Sequence, residues 1–245
     1  MVLDFTESWL PFYLPHWSSR EQAAARYVLE GGRLRLLVEA DQEPWCPEFD
    51  GDVRVSAFQT GTLDGQHRFA DGLEVREQQA PRALHLPQYA RIEIRARASG
   101  DPDAMCALWL IGYEDIPEHS AEICVCEIFG RDVYDGRALV GVGVHPFADT
   151  TITDDFEQVE VAIDARESHV YAANWTETRI EFFVDDTLVK TVEQSPAYPM
   201  QLMLTLYSFG RRGPHPKVFE VDYVKSMPAI RRLASQTPKS PSPMR

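Results

Sequence analysis

The sequence contains few cysteines, and their spacing argues against both a structural zinc module and a disulfide-stabilised secreted domain. Its 245 residues include four cysteines, at positions 46, 106, 124 and 126, and no C-x-x-C pair. Structural zinc sites are typically built from such pairs, so we do not expect a zinc module. Cys124 and Cys126 are too close on one predicted strand for an easy disulfide, and the overall pattern does not resemble a secreted disulfide framework.

Basic charge and long apolar runs are also scarce. Lys and Arg total 24 against 38 Asp and Glu, which gives a net charge of −14. Such a chain repels phosphate groups, so neither nucleic acid nor an anionic membrane is an expected partner. No apolar run approaches a membrane span, and no signal peptide is visible. We therefore expect a monomer that is cytoplasmic as written, or secreted if a leader was omitted.

Helical periodicity is almost absent, whereas short alternating segments recur along the chain. Residues 91–98 alternate charged and apolar side chains, and Gly31-Gly32 separates two β-favouring runs as a hairpin turn would. These patterns predict an all-β fold, an antiparallel β-sandwich, as one domain over residues 1–227. Residues 228–245 combine Pro, Ser and basic groups without apolar periodicity, which predicts a disordered tail.

One predicted strand, residues 121–130, carries two carboxylates inside an apolar run. Burying a charge is costly unless it has a partner, a shifted pKa or open water in front of it. Side chains alternate faces along a strand, so Glu122, Cys124 and Cys126 share one face and Glu127 points to the other. A β-bulge after Cys124 would insert one residue and bring Glu127 beside Glu122.

Two carboxyls that converge in a cleft can hydrolyse a glycosidic bond. One attacks the anomeric carbon while the other protonates the leaving oxygen, and retaining enzymes hold them about 5–5.5 Å apart. In the alternative interpretation, Glu122 is solvated on an exposed face and Glu127 belongs to the turn before Gly130. The spacing of the two residues alone favours this second interpretation.

The sequence resembles glycoside hydrolase family 16 in an ordered series of segments. Residues 122–127, E-I-C-V-C-E, are similar to the bulged E-x-D-x-x-E motif of laminarinase-like members. Further similar segments follow one another in the family's order over roughly residues 30–227: 90–98, 107–110, 169–176, 179–185, 198–204 and 219–224. An ordered series of this kind is far more specific than the six-residue motif.

The resemblance implies a fold, an activity and two catalytic roles. The fold would be a concanavalin A-like jelly roll whose concave sheet holds the substrate groove. The activity would be retaining cleavage of internal β-glycosidic bonds in a polysaccharide such as a β-1,3- or mixed-linked glucan, with Glu122 as nucleophile and Glu127 as acid/base. Cys124 stands where the family has Asp, and a thiol is a weak donor without negative charge, so full activity is in doubt.

Four further residues are candidates for substrate binding beside Cys124. Trp45 lies in a Pro-rich acidic loop and is either a sugar platform or a core aromatic. The resemblance puts Trp109 beside the cleft floor. Tyr207 alternates with Leu202, Leu204 and Leu206, so it faces the side that could line the cleft, while His145 either binds substrate or a glutamate or simply ends its strand.

Two other functions fit the same pattern. The chain could be a carbohydrate-binding protein on this scaffold with weak or lost catalysis, or an interaction protein that uses the scaffold alone. We expect no cofactor and no catalytic metal; acidic loop residues would permit a structural calcium ion, but no EF-hand spacing is present.

Overall fold

The computed structural model describes residues 1–210 and 213–230, and strands are their main regular secondary structure. The strands are β1 (Arg26–Glu30), β2 (Arg33–Val38), β3 (Arg54–Gln59), β4 (Gly61–Thr62), β5 (Arg82–Ala83), β6 (Ala90–Arg97), β7 (Ala104–Gly112), β8 (Glu122–Phe129), β9 (Val133–Tyr134), β10 (Arg137–His145), β11 (Asp155–Val161), β12 (His169–Trp175), β13 (Ile180–Val184), β14 (Thr187–Val192), β15 (Met200–Ser208) and β16 (Lys217–Pro228). The helical segments of this part are α1 (Pro47–Asp50) and two single 3₁₀ turns, Pro15–Trp17 and Gly130–Asp132. None of these helices is long and apolar enough to span a bilayer.

Two large antiparallel sheets pack face to face. The outer sheet has the strand order β1-β2-β16-β6-β12-β13-β14, and the groove sheet has the order β11-β10-β8-β7-β15-β3, with β9 paired to β10. Strands β4 and β5 form a separate two-stranded ribbon. The predicted antiparallel β-sandwich is therefore confirmed, and the predicted hairpin is β1 and β2, whose turn residues Gly31 and Gly32 have φ of 59° and 77°.

Strand alternation divides the apolar side chains between two clusters. Leu202, Leu204 and Leu206 of β15 enter the core between the sheets, whereas Met203 and Tyr207 join a cluster on the opposite face of the groove sheet. Full burial of a side chain of this size contributes about 1.5–3 kcal/mol to stability. The alternation thus stabilises the sandwich and presents a second, aromatic surface outside it.

The N-terminal segment contributes to both clusters. Leu3, Phe5 and Trp9 are buried in the core between the sheets, and Leu14 and Trp17 are buried in the cluster outside the groove sheet. The irregular aromatic segment before β1 therefore packs on the sandwich. Leu10 of this segment pairs with Gln59 at the end of β3, so the segment covers part of that edge strand of the groove sheet.

The ordered domain continues beyond the predicted boundary at residue 227. Strand β16 ends at Pro228, and the backbone of Ile230 makes two hydrogen bonds with the amide of buried Asn174, at 2.7 Å and 3.0 Å. Residues 228–230 therefore belong to the domain, because they satisfy a side chain that would otherwise be buried without these partners. The rest of the predicted tail, residues 231–245, lies outside the described residues.

Candidate active site

Strand β8 contains a β-bulge between its two glutamates. Towards β7, Cys124 lies opposite Trp109 and Cys126 lies opposite Leu108, which leaves Val125 as the extra residue. The register with β10 shifts at the same place. Val125 and Cys126, although consecutive, both lie in the core between the sheets. The bulge predicted after Cys124 is confirmed.

The bulge brings Glu127 to the same side of the sheet as Glu122. Both carboxylates border one opening on the groove sheet, together with His145, and both also line an adjoining pocket of about 120 Å³. Cys126 would share the face of Glu122 on an unbroken strand, but it is fully buried on the core side. The geometric prediction that Glu122 and Glu127 converge on one groove is confirmed, whereas their catalytic roles remain predictions.

Burial is the main cause of the raised pKa values of Glu122 and Glu127. It raises the pKa of Glu122 to about 7; the hydrogen bond from Cys124 and the charge of His145 oppose the shift, and the charge of Glu127 adds to it. Burial also raises the pKa of Glu127, against the charges of His145 and Arg131.

Cys124 lies between the two carboxyls and contacts the first of them. Its thiol donates a hydrogen bond of 2.7 Å to Glu122 Oε1, and it forms part of the wall of the 120 Å³ pocket. Burial, followed by the charges of Glu122 and Glu127, raises the thiol pKa well above its usual value. The residue is therefore a neutral donor to Glu122 in the position where the family motif has Asp.

His145 ends strand β10 directly opposite Glu122. Its Nδ1 lies 2.5 Å from Asp154 Oδ1, and its ring stacks on Phe156 with 4.8 Å between ring centroids. These contacts fix the ring at the edge of the opening that Glu122 and Glu127 share. His145 is thus a satisfied strand-end histidine that also borders the groove, and its substrate contact remains a prediction.

Trp109 and Tyr207 form part of the floor of the pocket. Trp109 Nε1 donates a 3.1 Å hydrogen bond to Thr205 Oγ1, and the Tyr207 hydroxyl donates one of 2.9 Å to Tyr13. Both rings border the pocket that Glu122 also lines, while the rest of each ring is packed against neighbours. These contacts hold the floor rigid, and direct binding of substrate by either ring stays a prediction.

Of the two interpretations of Trp45, sugar platform or core aromatic, the structure supports the second, so Trp45 leaves the predicted set of sugar-binding residues. Its side chain is only 1% exposed, and its ring packs edge-on against Tyr13 with 4.6 Å between centroids. Its Nε1 donates a 2.7 Å hydrogen bond to Asp50. A ring that is covered by other side chains cannot offer a face to a sugar, so Trp45 is a core aromatic of the cluster outside the groove sheet.

A second pocket, of about 570 Å³, adjoins the carboxyl pair and was not predicted from the sequence. Its lining includes His67, Arg68, Glu114, Ser120 and Phe147. The φ angles of His67, Glu114 and Phe147 are 51°, 55° and 47°, a left-handed conformation that is costly for residues with a Cβ atom. Strain of this kind concentrates at functional sites when the surrounding structure holds it in place.

Burial shifts the pKa of two side chains of this second pocket, Glu114 and His67. Burial raises the pKa of Glu114 to about 7, although its carboxylate accepts a 2.6 Å hydrogen bond from the backbone N–H of His67. Burial also lowers the pKa of His67 to about 4, assisted by the charges of His16 and His145. The pocket therefore presents a neutral imidazole near neutral pH, next to the exposed ring of Phe147.

Comparison with known proteins identifies the family. The sequence model of glycosyl hydrolases family 16 matches residues 82–225, which is more than half of the chain. A search of curated proteins finds no significant match.

Solved structures with the same fold include enzymes of several specificities. An endo-β-galactosidase from Clostridium perfringens that releases GlcNAcα1-4Gal is 28% identical, with a TM-score of 0.83, and the match covers 92% of this chain and 61% of that one. The chain therefore spans less than two thirds of that enzyme.

Laminarinases resemble the chain more distantly but over nearly their whole length. The catalytic domain from Thermotoga maritima is 17% identical with a TM-score of 0.65, and the match covers 94% of this chain and 98% of that one. The enzyme from a Flavobacterium species is 18% identical with a TM-score of 0.62, over 91% and 94% of the two chains. These similarities establish the jelly-roll sandwich fold, and with the matched family model they show that the chain belongs to glycosyl hydrolases family 16.

Proposed function

We propose that the protein is a retaining endo-β-glycosidase that acts through Glu122 and Glu127. The observation that carries this proposal is the bulge in β8, which brings two carboxyls to one open groove. Burial disfavours the charged form of both acidic groups, as their raised pKa values show, and a purely structural strand would have no need of such groups. Membership of the family supports the same activity.

The reaction follows from the two carboxyls without further groups. Ionised Glu122 attacks the anomeric carbon, the bond to the leaving oxygen breaks, and protonated Glu127 supplies the proton to that oxygen. Water then attacks the glycosyl-enzyme ester as Glu127 takes its proton, which frees Glu122 and leaves the original β configuration. The Cys124 hydrogen bond stabilises the charged form of Glu122, and the proposed steps need no cofactor or metal.

The substrate class has two candidates. The motif in β8 resembles laminarinase-like members, which favours a β-1,3- or mixed-linked glucan. The 28% identity and TM-score of 0.83 to an endo-β-galactosidase favour a glycan with internal β-galactosyl units. We rank the galactosyl substrate first, because the laminarinase similarities are below 20% identity and carry the fold alone.

The activity test combines product analysis with a matched pair of variants. The purified chain is incubated with β-1,3-glucan, mixed-linked glucan and galactose-containing glycans, and new reducing ends are measured. Large early products by size-exclusion chromatography indicate endo cleavage, and β-anomeric products by NMR at early times indicate retention. Glu122→Gln removes the nucleophile, whereas Glu193→Gln alters an exposed residue beyond β14 and serves as control.

The outcomes separate the proposed enzyme from its rival. Hydrolysis that is lost in Glu122→Gln and kept in Glu193→Gln supports the glycosidase. Oligosaccharide binding by calorimetry without any hydrolysis would instead indicate a carbohydrate-binding protein on the same scaffold. Release of α-anomers would contradict the retaining mechanism.

A further inference from the structure

Three side chains at the edge of the groove have the chemistry of a metal site. Glu122 and Cys124 lie on β8, and His145 is the cross-strand neighbour of Glu122 at the end of β10. One ligand atom from each residue, a carboxylate oxygen, Sγ and a ring nitrogen, lies within 4.8 Å of both others. Ligand atoms around tetrahedral zinc are about 3.3–3.7 Å apart for bonds of about 2.0–2.3 Å.

Small rotations of the side chains are enough to form the site. The distance between Cys124 Sγ and Glu122 Oε1 is 2.7 Å and has to open by about 1 Å, and since no separation in the group exceeds 4.8 Å, none has to close by more than about 1.5 Å. Glu122 and His145 border the open groove, so an ion can reach them from solvent and a fourth position is left for water.

A fourth residue already orients the histidine as metal sites require. Asp154 Oδ1 lies 2.5 Å from His145 Nδ1, which fixes the tautomer and leaves Nε2 as the nitrogen available to an ion. Metal-binding histidines generally bond a carboxylate or carbonyl through their second ring nitrogen, and loss of that partner typically costs 10–100-fold in affinity. This contact is independent of the Glu122–Cys124 hydrogen bond.

We propose that Glu122, Cys124 and His145 form a binding site for a zinc-like divalent cation, and that its occupation inhibits the enzyme. Formation of the sulfur–metal bond releases the thiol proton to solvent. The thiolate and the Glu122 carboxylate then balance the two positive charges. The bound ion holds the carboxylate that the proposed reaction needs as nucleophile, so the inhibition, unlike the binding, rests on the proposed function.

The donor set predicts which ions are bound. Thiolate and imidazole select zinc and cobalt over calcium and magnesium, which prefer sites made of oxygen ligands. The family motif has Asp at the position of Cys124, and that substitution removes the sulfur ligand. The site therefore depends on the residue in which this chain departs from the motif.

Cobalt binding tests the site without any need for enzymatic activity. The full chain, with its thiols reduced and chelators removed, is titrated with Co²⁺ and its absorption recorded. We expect one ion per chain and a sulfur-to-cobalt charge-transfer band that Zn²⁺ abolishes by displacement and Ca²⁺ does not. Cys124→Ser should lose the band, and Cys126→Ala should keep it, because that thiol faces the core two residues away.

A variant of a surface residue provides a second test if Cys124→Ser fails to fold. Asp154 is largely exposed, so Asp154→Asn keeps the shape and removes only the charge behind His145. It should weaken Co²⁺ and Zn²⁺ binding about 10–100-fold by calorimetry. The proposal is overturned if wild-type protein shows no sulfur-to-cobalt band, if Cys124→Ser retains it, or if Asp154→Asn binds both ions as tightly as wild type.

Inhibition is measured on whichever substrate the protein cleaves. Zn²⁺ should inhibit the wild type reversibly, with full recovery after a chelator is added, and the inhibitory concentration should rise more than tenfold in Cys124→Ser whatever its own rate. Metal binding in a protein without hydrolase activity would refute the proposed function and leave the site intact. Hydrolysis that Zn²⁺ does not affect, together with cobalt binding, would refute the inhibitory role.

Discussion

Cys124 is a residue at which this chain departs from the motif of its family. A carboxylate at this position would carry charge and accept hydrogen bonds, whereas the neutral thiol donates one weak hydrogen bond to Glu122 and adds no charge. Burial and the two nearby glutamates keep the thiol protonated. In the proposed reaction the chemistry therefore belongs to the carboxyls, and the thiol acts as a spacer that supports one of them.

Substitutions at positions 122 and 124 test this division of roles. Cys124→Ser keeps a neutral donor of similar size and should lower kcat by less than about tenfold, whereas Glu122→Gln should lower it by at least about 10³-fold. Cys124→Asp restores the carboxylate of the motif and should leave kcat equal or higher, by up to about 10²-fold, and shift the pH optimum. Steady-state kinetics with the best glycan measure all three.

One outcome would reverse the assignment at this site. If Cys124→Ser were inactive while Glu122→Gln still turned over, the thiol would be the nucleophile. The wild-type rate in the presence of a strong chelator is the control, since it removes any bound metal from the comparison.

Glu114 provides a pH test in the second pocket. Its pKa is about 7 in the folded protein against 4.5 for an ordinary glutamate. Between pH 4.5 and pH 7 the carboxyl is therefore protonated in the folded state and ionised in the unfolded state. Its contribution to the free energy of unfolding therefore falls as pH rises from about 4.5 to 7. Glu114→Gln removes that loss, and its stability relative to wild type should increase by about 1–3 kcal/mol between pH 4.5 and pH 8.

The measurement is the free energy of unfolding in denaturant for both proteins at the two pH values. Glu118→Gln is the matched control in the same loop, because its exposed carboxyl is solvated in both states. An equal effect of pH on Glu114→Gln and wild type would show that Glu114 is ionised in the pocket at no cost.

Among the elements, the bulge of strand β8 was predicted from the condition that both glutamates face one groove, although their spacing alone favoured the other interpretation. An apolar run with glutamates five residues apart can place both on one face only if a bulge corrects the alternation, and the register shift is found at that place. Residues 91–97 of β6 alternate charged and apolar side chains, a pattern typical of a strand with one solvated face. Arg91 and Glu93 have side chains only 9% and 13% exposed and pair with each other, whereas Arg95 and Arg97 are 40% and 46% exposed, so only part of this face is solvated.

The glycines of β10 show what alternation alone does not reveal. A Cβ on Gly143 would lie 2.2 Å from the backbone oxygen of Asp155, and the φ of Gly143 is +145°. The missing side chain at Gly143 thus permits the close approach of β10 to β11.

Gly143→Ala should accordingly be strongly destabilising. The new methyl group must push β11 away from β10 in a backbone conformation that disfavours any side chain, and we expect a loss of about 2–5 kcal/mol. Gly136→Ala is the control, because Gly136 also has positive φ, +71°, but its Cβ would meet nothing within 4 Å. Its cost should be about 1 kcal/mol by denaturant unfolding. Equal losses in the two variants would show that the close approach is unimportant.

Across the whole molecule, the sandwich was predictable and the walls of the groove were not. Alternation identified the faces of β15, and thereby Tyr207 on the groove floor, because burial of one face enforces period two. No periodic signal marks His67, Glu114 or Phe147, since they lie in loops whose paths are set by tertiary contacts. The burial of Trp45 was undecidable for the same reason: its loop packs against an N-terminal segment distant in sequence.

The C-terminal boundary can be tested by two truncations. Removal of residues 234–245 should leave Tm unchanged, since this stretch offers almost no apolar surface to bury. Removal of all residues from 228 onward also takes away the hydrogen bonds of Ile230 to Asn174 and should cost about 1–3 kcal/mol, seen as a Tm lower by several degrees. If the shorter deletion lowered Tm as much as the longer one, residues after 233 would be docked.

The position of β16 has a consequence for synthesis on the ribosome. This last described strand lies inside the outer sheet, between β2 and β6, and the first residues of the chain pair with it, as Leu3 N–H donates to Val224 O. Until residues 217–228 have emerged, a nascent chain exposes the edges of two strands that have no partner, and such edges invite association with other chains. If translation stalls shortly before these residues are made, the nascent chain is therefore prone to aggregation and depends on chaperones.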